Sequence, residues 1–410
     1  MRITLLNDEA LPVARGGAPV MVDHLRQGLA AHGHEVMLIT THQDHTRGMM
    51  VETKDTAGSI VSIFTNIPLR ERHRRCLQNP VAMQAVKKIW TKNKPHIVHA
   101  HNLHTYLSYG CLSVARTFTE NIFLTAHDTF LVSFGRVNTD AYRQATKAGH
   151  PYRMRLADHL HAVGLQYRPL RNPGIKKILR STGTRVIAIS HALEDFLNAN
   201  GIKNTLVIPN GIPGHPLPDQ ASIDACRKSF HLDGPTVLFG GRISHDKGID
   251  ALLVAASKVI AHVPHARFLI VGEEERLCPS LLNVSPEVRA AVRTTGWLKQ
   301  ENMPAVFAAA DVVTTPSLYL DAFNLMNIEA MAMERPVVGT CFGGTTEIIE
   351  NNVTGIIVDP TDAKTYASAL TTLLQDTDRR KRMGMAGKKR VEENYSLDTF
   401  VDRHLAAYSR

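Results

Sequence analysis

The sequence predicts an α/β protein built from two Rossmann-like, doubly wound domains that face a central cleft. Three observations carry this expectation. The chain has 410 residues, and domains usually run to roughly 100–200 residues, so two is the natural count, each able to bury its own core. Short apolar runs alternate with helical periodicity along both halves, the pattern of a mostly parallel sheet covered on both faces. The alternation restarts after NTLVIPNGIPGHPLPD (204–219), a junction rich in Pro and Gly, as loops between periodic segments are.

In the first half RITLLN reads as a strand. VMVDHLRQGLAAHG follows as a helix, because Val22, Leu25, Leu29 and Ala30 share one face and Gly33 supplies a stop. HEVMLIT, HIVHAH, NIFLTAHD and RVIAIS are the next strands, at intervals that leave room for helices. In the second half TVLFGG, ARFLIVG, VRTTG, DVVTTP, PVVGT and TGIIVD are strands, with DALLVAASKVIAHV and NIEAMAME among the helices between them. The domains are placed at 1–204 and 205–389, with a helical segment 390–410 crossing back onto the first. Ligands of such sheets bind beyond the carboxyl ends of strands, so the loops that follow strands are the informative ones.

Apolar residues make up 44% and charged residues 21%, an ordinary globular balance. Five cysteines are scattered without a CxxC pair and read as reduced thiols. MRITLLNDEA passes straight into a strand with no basic-then-apolar leader pattern, and no apolar run approaches the ~20 residues of a spanning helix. The expectation is a cytoplasmic protein, with a peripheral contact at the inner face of the membrane suggested by charge. The formal charge is +9, and 136–180 holds ten Lys/Arg against Asp140 and Asp158, with RERHRR (70–75) as a second cluster. Such a patch attracts phosphates, anionic headgroups or nucleic acid; a solvated basic face is the plainer alternative.

Gly16-Gly17 lies after the first strand and before the first helix, where glycines let backbone N–H groups approach an anion. The full GxGxxG is absent, which argues against a nicotinamide enzyme. In GGRISHDKG, Arg242 and Lys247 leave the strand TVLFG on one loop. Two such cations can clamp a diphosphate, Arg as a fork and Lys as a point charge, and stabilise the charge that grows as it departs. In DAFNLMNIEAMAMERPVV, Asp321 lies in the loop after DVVTTP and Glu329 inside the following helix. The first carboxylate can hold sugar hydroxyls and the second a ribose diol, while the helix start between them offers free N–H groups to a phosphate. The glycine pair has a flexible loop as its plainer alternative, and the Arg/Lys and Asp/Glu pairs have ordinary surface charge.

His127 ends NIFLTAHD and can contact a sugar or relay a proton. His96, His99, His101 and His104 read as cleft-lining or structural rather than as a metal site. Asp376-Thr377-Asp378 reads as a helix end or N-cap, and GKK at Gly387 lacks P-loop spacing.

In this order the pieces resemble the retaining glycosyltransferases of family 4, which have the GT-B fold. The resemblance covers nearly the whole chain. It rests on Gly16-Gly17 before a helix ending GHEV, on HAH and TAHD, on AISHALEDFL then VIPNGI, on GRISHDKG, on FLIVGEE, and on the D-x7-E block leading to PVVGT, GGTTEII and NNVTGIIVDP. It implies an acceptor-binding first domain and a nucleotide-sugar-binding second domain, with UDP the first nucleotide expected. By the same resemblance His127, Arg242, Lys247 and Asp321 would be catalytic. His127 would contact the donor sugar near the reacting carbon, Arg242 and Lys247 would hold the diphosphate, and Asp321 would bind sugar hydroxyls. Gly17, Ala322 and the backbone of Phe323, Asn324 and Leu325 would complete the sugar and phosphate contacts. Glu329 would take the ribose, and Trp297-Leu298 would read the base edge. Gly16 and His101 are the acceptor candidates. The reaction would keep the anomeric configuration and need no metal or other cofactor, with cell-surface polysaccharide or glycolipid synthesis as its setting.

The chain departs from the family where Asp321 replaces the usual Glu, where Phe323-Asn324 replaces FG, and before PVV, where the usual Gly is read as Arg335 preceded by Glu334. An epimerase or phosphorylase on the same fold is the competing enzyme reading. A basic membrane- or nucleic-acid-binding protein is the non-catalytic one, although no nucleic-acid motif supports the latter.

Overall fold

A computed structural model of the chain describes residues 1–12 and 16–409. They fall into two units: Met1–Val137, Ala148–Gly211 and Leu397–Arg410 form unit 1, and Asn138–Lys147 with Ile212–Ser396 form unit 2.

Unit 1 contains β1 (Arg2–Leu6), β2 (Glu35–His42), β3 (Met50–Asp55), β4 (Gly58–Phe64), β5 (Ile97–Ala100), β6 (Ile122–Ala126), β7 (Arg185–Ala188) and β8 (Thr205–Val207). They form one sheet in the order β3-β4-β2-β1-β5-β6-β7-β8, parallel except for the edge hairpin β3–β4. β5 and β6 are buried at every position, as strands covered on both faces must be. The first helix, Gly17–Ala31, buries Val22, Leu25 and Leu29, as its periodicity predicts. Its buried Arg26 reaches Asp55 at the end of β3 through two hydrogen bonds of 2.6 and 2.8 Å, which ties the edge hairpin to the helix. The terminal helix Leu397–Tyr408 packs on the same helix at Gly28, where a Cβ would run into the Val401 side chain.

Unit 2 contains β9 (Thr236–Phe239), β10 (Arg267–Ile270), β11 (Val292–Thr294), β12 (Val312–Thr315), β13 (Val337–Thr340) and β14 (Gly355–Val358). These form an all-parallel sheet in the order β11-β10-β9-β12-β13-β14. In both sheets the first strand lies between two sequences of crossovers running opposite ways. The strand order therefore reverses between β1 and β5, and again between β9 and β12. A crevice opens at such a switch point, and the loops beyond it are where ligands bind.

The predicted architecture of two doubly wound sheets is the observed one, with differences of detail. β3 and β4 have no counterpart among the predicted strands. MVETKD is an exposed edge strand, so it carries no apolar run to betray it. The division falls at 211/212 rather than 204/205, because Thr205–Val207 pairs with β7. The predicted single helix 390–410 is two: Thr377–Asn394 stays with unit 2 and Leu397–Tyr408 returns to unit 1, while Arg410 lies outside the described residues. Asp376 caps the former by accepting from the Arg379 N–H at 2.8 Å.

Residues 138–147, inside the predicted first domain, belong to unit 2. The helix Asp140–Lys147 buries Tyr142. The Gly343 N–H donates to the Tyr142 hydroxyl at 3.0 Å, and Lys147 reaches Asp359 at 2.5 Å. Asn138 donates to the Asp246 carboxylate at 2.6 Å and accepts from Arg143 at 2.6 Å.

The residue in left-handed conformation before PVV is Glu334, φ 57°, one position earlier than the replaced glycine was placed. A non-glycine residue there is strained by roughly 1–2 kcal/mol. Its half-exposed ion pair with Lys388, 3.0 Å, offsets little of that, since such pairs contribute about 0–1 kcal/mol. Glu334→Gly is expected to raise stability by about 0.5–1 kcal/mol, read as a higher urea midpoint. A lower midpoint would mean that the ion pair outweighs the strain.

Candidate functional site

Of the predicted donor residues, Lys247 and Asp321 meet at the switch point of unit 2. The loop that leaves β9 begins with the Gly240 N–H donating to the carbonyl of Thr314 in β12 at 2.8 Å. A 3-10 turn, His245–Lys247, follows, and the Asp246 carbonyl accepts from the Leu318 N–H at 2.8 Å. The loop after β9 is thus fastened to the loop after β12. This brings Lys247 and Asp321 into contact: the buried ammonium donates to Asp321 Oδ2 at 2.6 Å, and Ser317 Oγ donates to the same oxygen at 3.0 Å. The Tyr319 ring lies 5.3 Å from Lys247 Nζ. Asp321 Oδ1 takes no hydrogen bond from the described residues, which leaves an acceptor for a hydroxyl. Gly343 closes the far side. With φ 69° and the backbone of Asp321 where its Cβ would be, only glycine fits there.

Arg242, on the same loop, is exposed. It is not drawn into the Lys247–Asp321 pair and keeps its fork for a ligand. Ala322, Phe323 and Asn324 are buried and Leu325 opens the helix Leu325–Ala332. Asn324, in place of the family's glycine, is its N-cap, accepting from the Met326 N–H at 3.2 Å. Its own Nδ2 is buried without a partner. Asn327 fixes the helix on the sheet by accepting from Thr315 Oγ1 at 2.7 Å.

Glu329 lies in the second turn of that helix. It is half-buried and accepts from Gln300 Nε2 at 3.1 Å. Burial pushes its carboxyl above the usual range, and the Gln300 contact only partly offsets this. A carboxylate in that condition gains from further donors such as a diol. Gln300 follows Trp297 and Leu298, so the base-reading candidates and the ribose candidate lie on connected segments. Trp297 is 63% exposed.

The unit 1 candidates lie at the carboxyl ends of its strands. His127 follows β6; its Nε2 is 3.0 Å from Nδ1 of His101, which follows β5. The two rings stack at 5.2 Å, His101 stacks on His99 at 4.3 Å, and His404 lies 5.5 Å from His99. Burial, then His104 and His404, push His127 down to about 3. The ring is therefore neutral at neutral pH, suited to donate and accept hydrogen bonds rather than to act as a cationic acid. Burial, reinforced by His99 and His127, also lowers His101, whose Nε2 is buried without a partner. Of the histidines of HIVHAHNLH, His99 and His101 stack together but His96 stands apart from them. His96 instead accepts from the Arg2 N–H at 2.9 Å, and no group of three metal-ligating side chains occurs among the described residues. Gly16, φ 118°, and Gly17 are exposed at the start of the first helix.

Sequence reasoning missed two features of unit 1. Asp8, after β1, accepts from the N–H groups of Thr105, Tyr106 and Leu107 at 2.8, 3.1 and 2.8 Å, binding the loop after β1 to the loop after β5. The other is a group of arginines, Arg72 and Arg171, beside His104 and Asp128. Asp128 stands directly after His127, a signal that was open to reading.

The sequence profile of the glycosyl transferases group 1 matches residues 224–390, and that of Glycosyltransferase Family 4 matches 15–213. Between them they leave only the two ends and 214–223 unmatched. With two doubly wound units and this loop chemistry, the chain belongs to the family 4 glycosyltransferases, enzymes of GT-B fold that take a sugar from a nucleotide-sugar donor. A GDP-mannose-dependent monoacylated alpha-(1-6)-phosphatidylinositol monomannoside mannosyltransferase of Corynebacterium glutamicum is 29% identical over 260 residues, covering 60% of this chain and 67% of that one. Among solved structures, sucrose-phosphate synthase from Thermosynechococcus elongatus superposes with a TM-score of 0.75 at 23% identity, covering 100% of this chain and 98% of that one. HepE from Anabaena, in complex with UDP, gives 0.71 at 16% identity, with 100% of both chains covered.

Proposed function

We propose that the chain transfers a sugar from a nucleoside diphosphate sugar to an acceptor held by unit 1, with retention of configuration and without a metal. The observation that carries the donor half is the Lys247–Asp321 pair beside the start of the helix bearing Glu329, with Arg242 on the same loop. In this reading the two cations, rather than a metal, neutralise the departing diphosphate. Asp321 and the helix start take the sugar and phosphate, and Glu329 takes the ribose. UDP is the first nucleotide expected. GDP is the second, because the Corynebacterium relative is named for GDP-mannose.

Calorimetry with UDP and with GDP, each in excess chelator, tests this. One of the two is expected to release heat and to saturate at one site per chain. No heat from either, with folded protein, would end the donor assignment, and heat that appears only with added magnesium or manganese would end the metal-free part.

The acceptor reading is a glycolipid or other acceptor met at an anionic membrane surface. No helix among the described residues is long and apolar enough to cross a membrane, so the contact would be peripheral. The helices Leu156–Val163 and Arg171–Thr182 and the turn between them expose Leu156 and Leu160, with Leu165 at 99% and Leu170 at 77%. The same segment, 153–180, carries the exposed cations Arg153, Arg155, Arg168, Lys177 and Arg180, of which Arg155 pairs with Asp158 at 3.4 Å. Leucines bare to water beside cations suit a headgroup boundary. The 70–75 cluster contributes less than its composition promised, because Glu71 pairs with both Arg74 and Arg75, at 2.8 and 3.3 Å. Co-sedimentation is expected with anionic vesicles at low salt and to fall at high salt, each cation near the surface contributing ~1 kcal/mol. Leu165→Asp with Leu170→Asp is expected to weaken it. Equal, negligible binding to anionic and neutral vesicles would remove the membrane from the reading.

A further inference from the structure

Arg171 is 2% exposed. Its Nη1 donates to the Ser133 carbonyl at 3.3 Å and to Asn172 Oδ1 at 2.8 Å, and its Nη2 donates to the Phe130 carbonyl. Its Nε is buried with no partner, and no carboxylate pairs with it among the described residues. The guanidinium rests on the Phe134 ring at 4.7 Å. Arg72 is half-buried, its guanidinium 5.8 Å over the Phe130 ring of the same loop. Its one hydrogen bond among the described residues is a long one, from Nε to His73 Nε2 at 3.4 Å, so both Nη groups are unused.

The two arginines act on each other and on their surroundings as unbalanced positive charge. Burial and then Arg171 lower Arg72. Burial, then Arg171 and Arg72, push His104 down to about 3. Burial, then the same two arginines, take His73 to about 4, so neither histidine adds charge at neutral pH. The carboxylate within reach is Asp128, which already accepts from the Phe130 N–H at 2.7 Å and lies 3.8 Å from His104 Nε2. Burial pushes it up to about 6 against the pull of these arginines. One partly exposed carboxylate faces the buried guanidinium of Arg171 and the half-buried one of Arg72, so the local charge stays positive until an anion enters.

The place in the fold is informative. Asp128 follows β6, His104 follows β5, and the loop 128–135 carries both phenylalanines, so the group lies at the carboxyl end of the unit 1 sheet, where such sheets receive ligands. The geometry points to an anion subsite in unit 1, with Arg72 as its ligating fork and Arg171 as its fixed charge, that holds a phosphate group of the acceptor. This rests on the acceptor role proposed for unit 1. It differs from the leucine-bearing surface in that it selects one phosphate rather than a charged plane. A guanidinium fork matches two phosphate oxygens.

The test is binding of inorganic phosphate, followed by phosphorus NMR line broadening and thermal shift, to the wild-type chain, to Arg72→Ala, to Arg72→Lys and to Lys247→Ala. Removing one charge-assisted contact weakens binding by at least about tenfold. Arg72→Ala is therefore expected to lose the phosphate response, Arg72→Lys to retain part of it, and Lys247→Ala to keep it. Arg72 is half-exposed, so its two variants are expected to fold, and the unliganded melting temperature checks this for every variant, Lys247→Ala included. A phosphate response that persists in Arg72→Ala, or that vanishes in Lys247→Ala alone, overturns the subsite. UDP and GDP calorimetry on Arg72→Ala keeps the two readings apart: a lost nucleotide site speaks against the donor assignment and leaves the phosphate result standing.

Two sources are separated by a second arm with phosphatidylcholine vesicles, plain or containing phosphatidic acid. If Arg72→Ala lowers binding only to the phosphatidic acid vesicles, the phosphate belongs to a lipid. If it lowers only the soluble response, the acceptor is a soluble phosphate. If it alters neither, there is no subsite.

Discussion

Lys247→Ala is expected to lower kcat by ~10²–10³, the loss seen when one fixed donor is removed from charge that grows in a transition state. The ammonium is buried and held at 2.6 Å from Asp321 Oδ2, so it needs little reorganisation to meet a departing diphosphate. The same substitution leaves the Asp321 carboxylate with Ser317 alone. Stability must therefore be measured beside turnover, and Lys247→Gln supplies the control. It keeps an N–H for Asp321 and removes the charge, so kcat should fall almost as far while the urea midpoint falls less. Turnover at the wild-type rate in either variant would remove Lys247 from the chemistry.

Asp321→Ala is expected to destabilise the chain by ~3–5 kcal/mol, because it leaves a buried ammonium without its counter-charge. The side chains of the pair are only 11% and 9% exposed, so solvent screens little of the interaction. Replacing both partners, Lys247→Met with Asp321→Ala, should recover most of the lost stability, and the difference between the double and the two single variants gives the coupling. Urea denaturation reads all three. A single variant as stable as wild type would show that solvent already compensates the charge. The double variant is expected to be inactive, which separates what the pair does for the fold from what it does for the reaction.

The parts of the site that could be read from sequence are those written locally. Arg242 and Lys247 share one loop directly after a strand, and Asp321 and Glu329 flank one helix start, so strand periodicity and residue type marked them as candidates, and the resemblance to family 4 gave their expected roles. That Lys247 and Asp321 touch was not legible. They are 74 positions apart, and their meeting follows from β9 lying beside β12, a fact of strand order. The same limit hid Arg72 and Arg171, which come together across the loop 128–135. Among the elements, buried strands such as HIVHA announced themselves through apolar runs. β3, solvated along nearly its whole length, did not, and β8 was concealed inside a stretch whose Pro and Gly content read as linker. The polar helix Asp140–Lys147 buries little besides Tyr142, too small a signal to reveal which unit it serves.

That helix bears on how such a chain can be recombined. The sequence crosses between units at 137/138, 147/148, 211/212 and 396/397, so the segment that supports Asp246 and Gly343 from outside, through Asn138 and Tyr142, is inherited with the other half. A hybrid that takes residues 212–396 from this protein and the remainder from a relative would receive a foreign helix at that support. Two parents are then compatible only if they agree at Asn138, Tyr142, Arg143 and Lys147. Exchange of 212–396 within the family is filtered by these four positions, and changes in unit 2 are more readily inherited through substitutions inside it than through exchange of the whole unit.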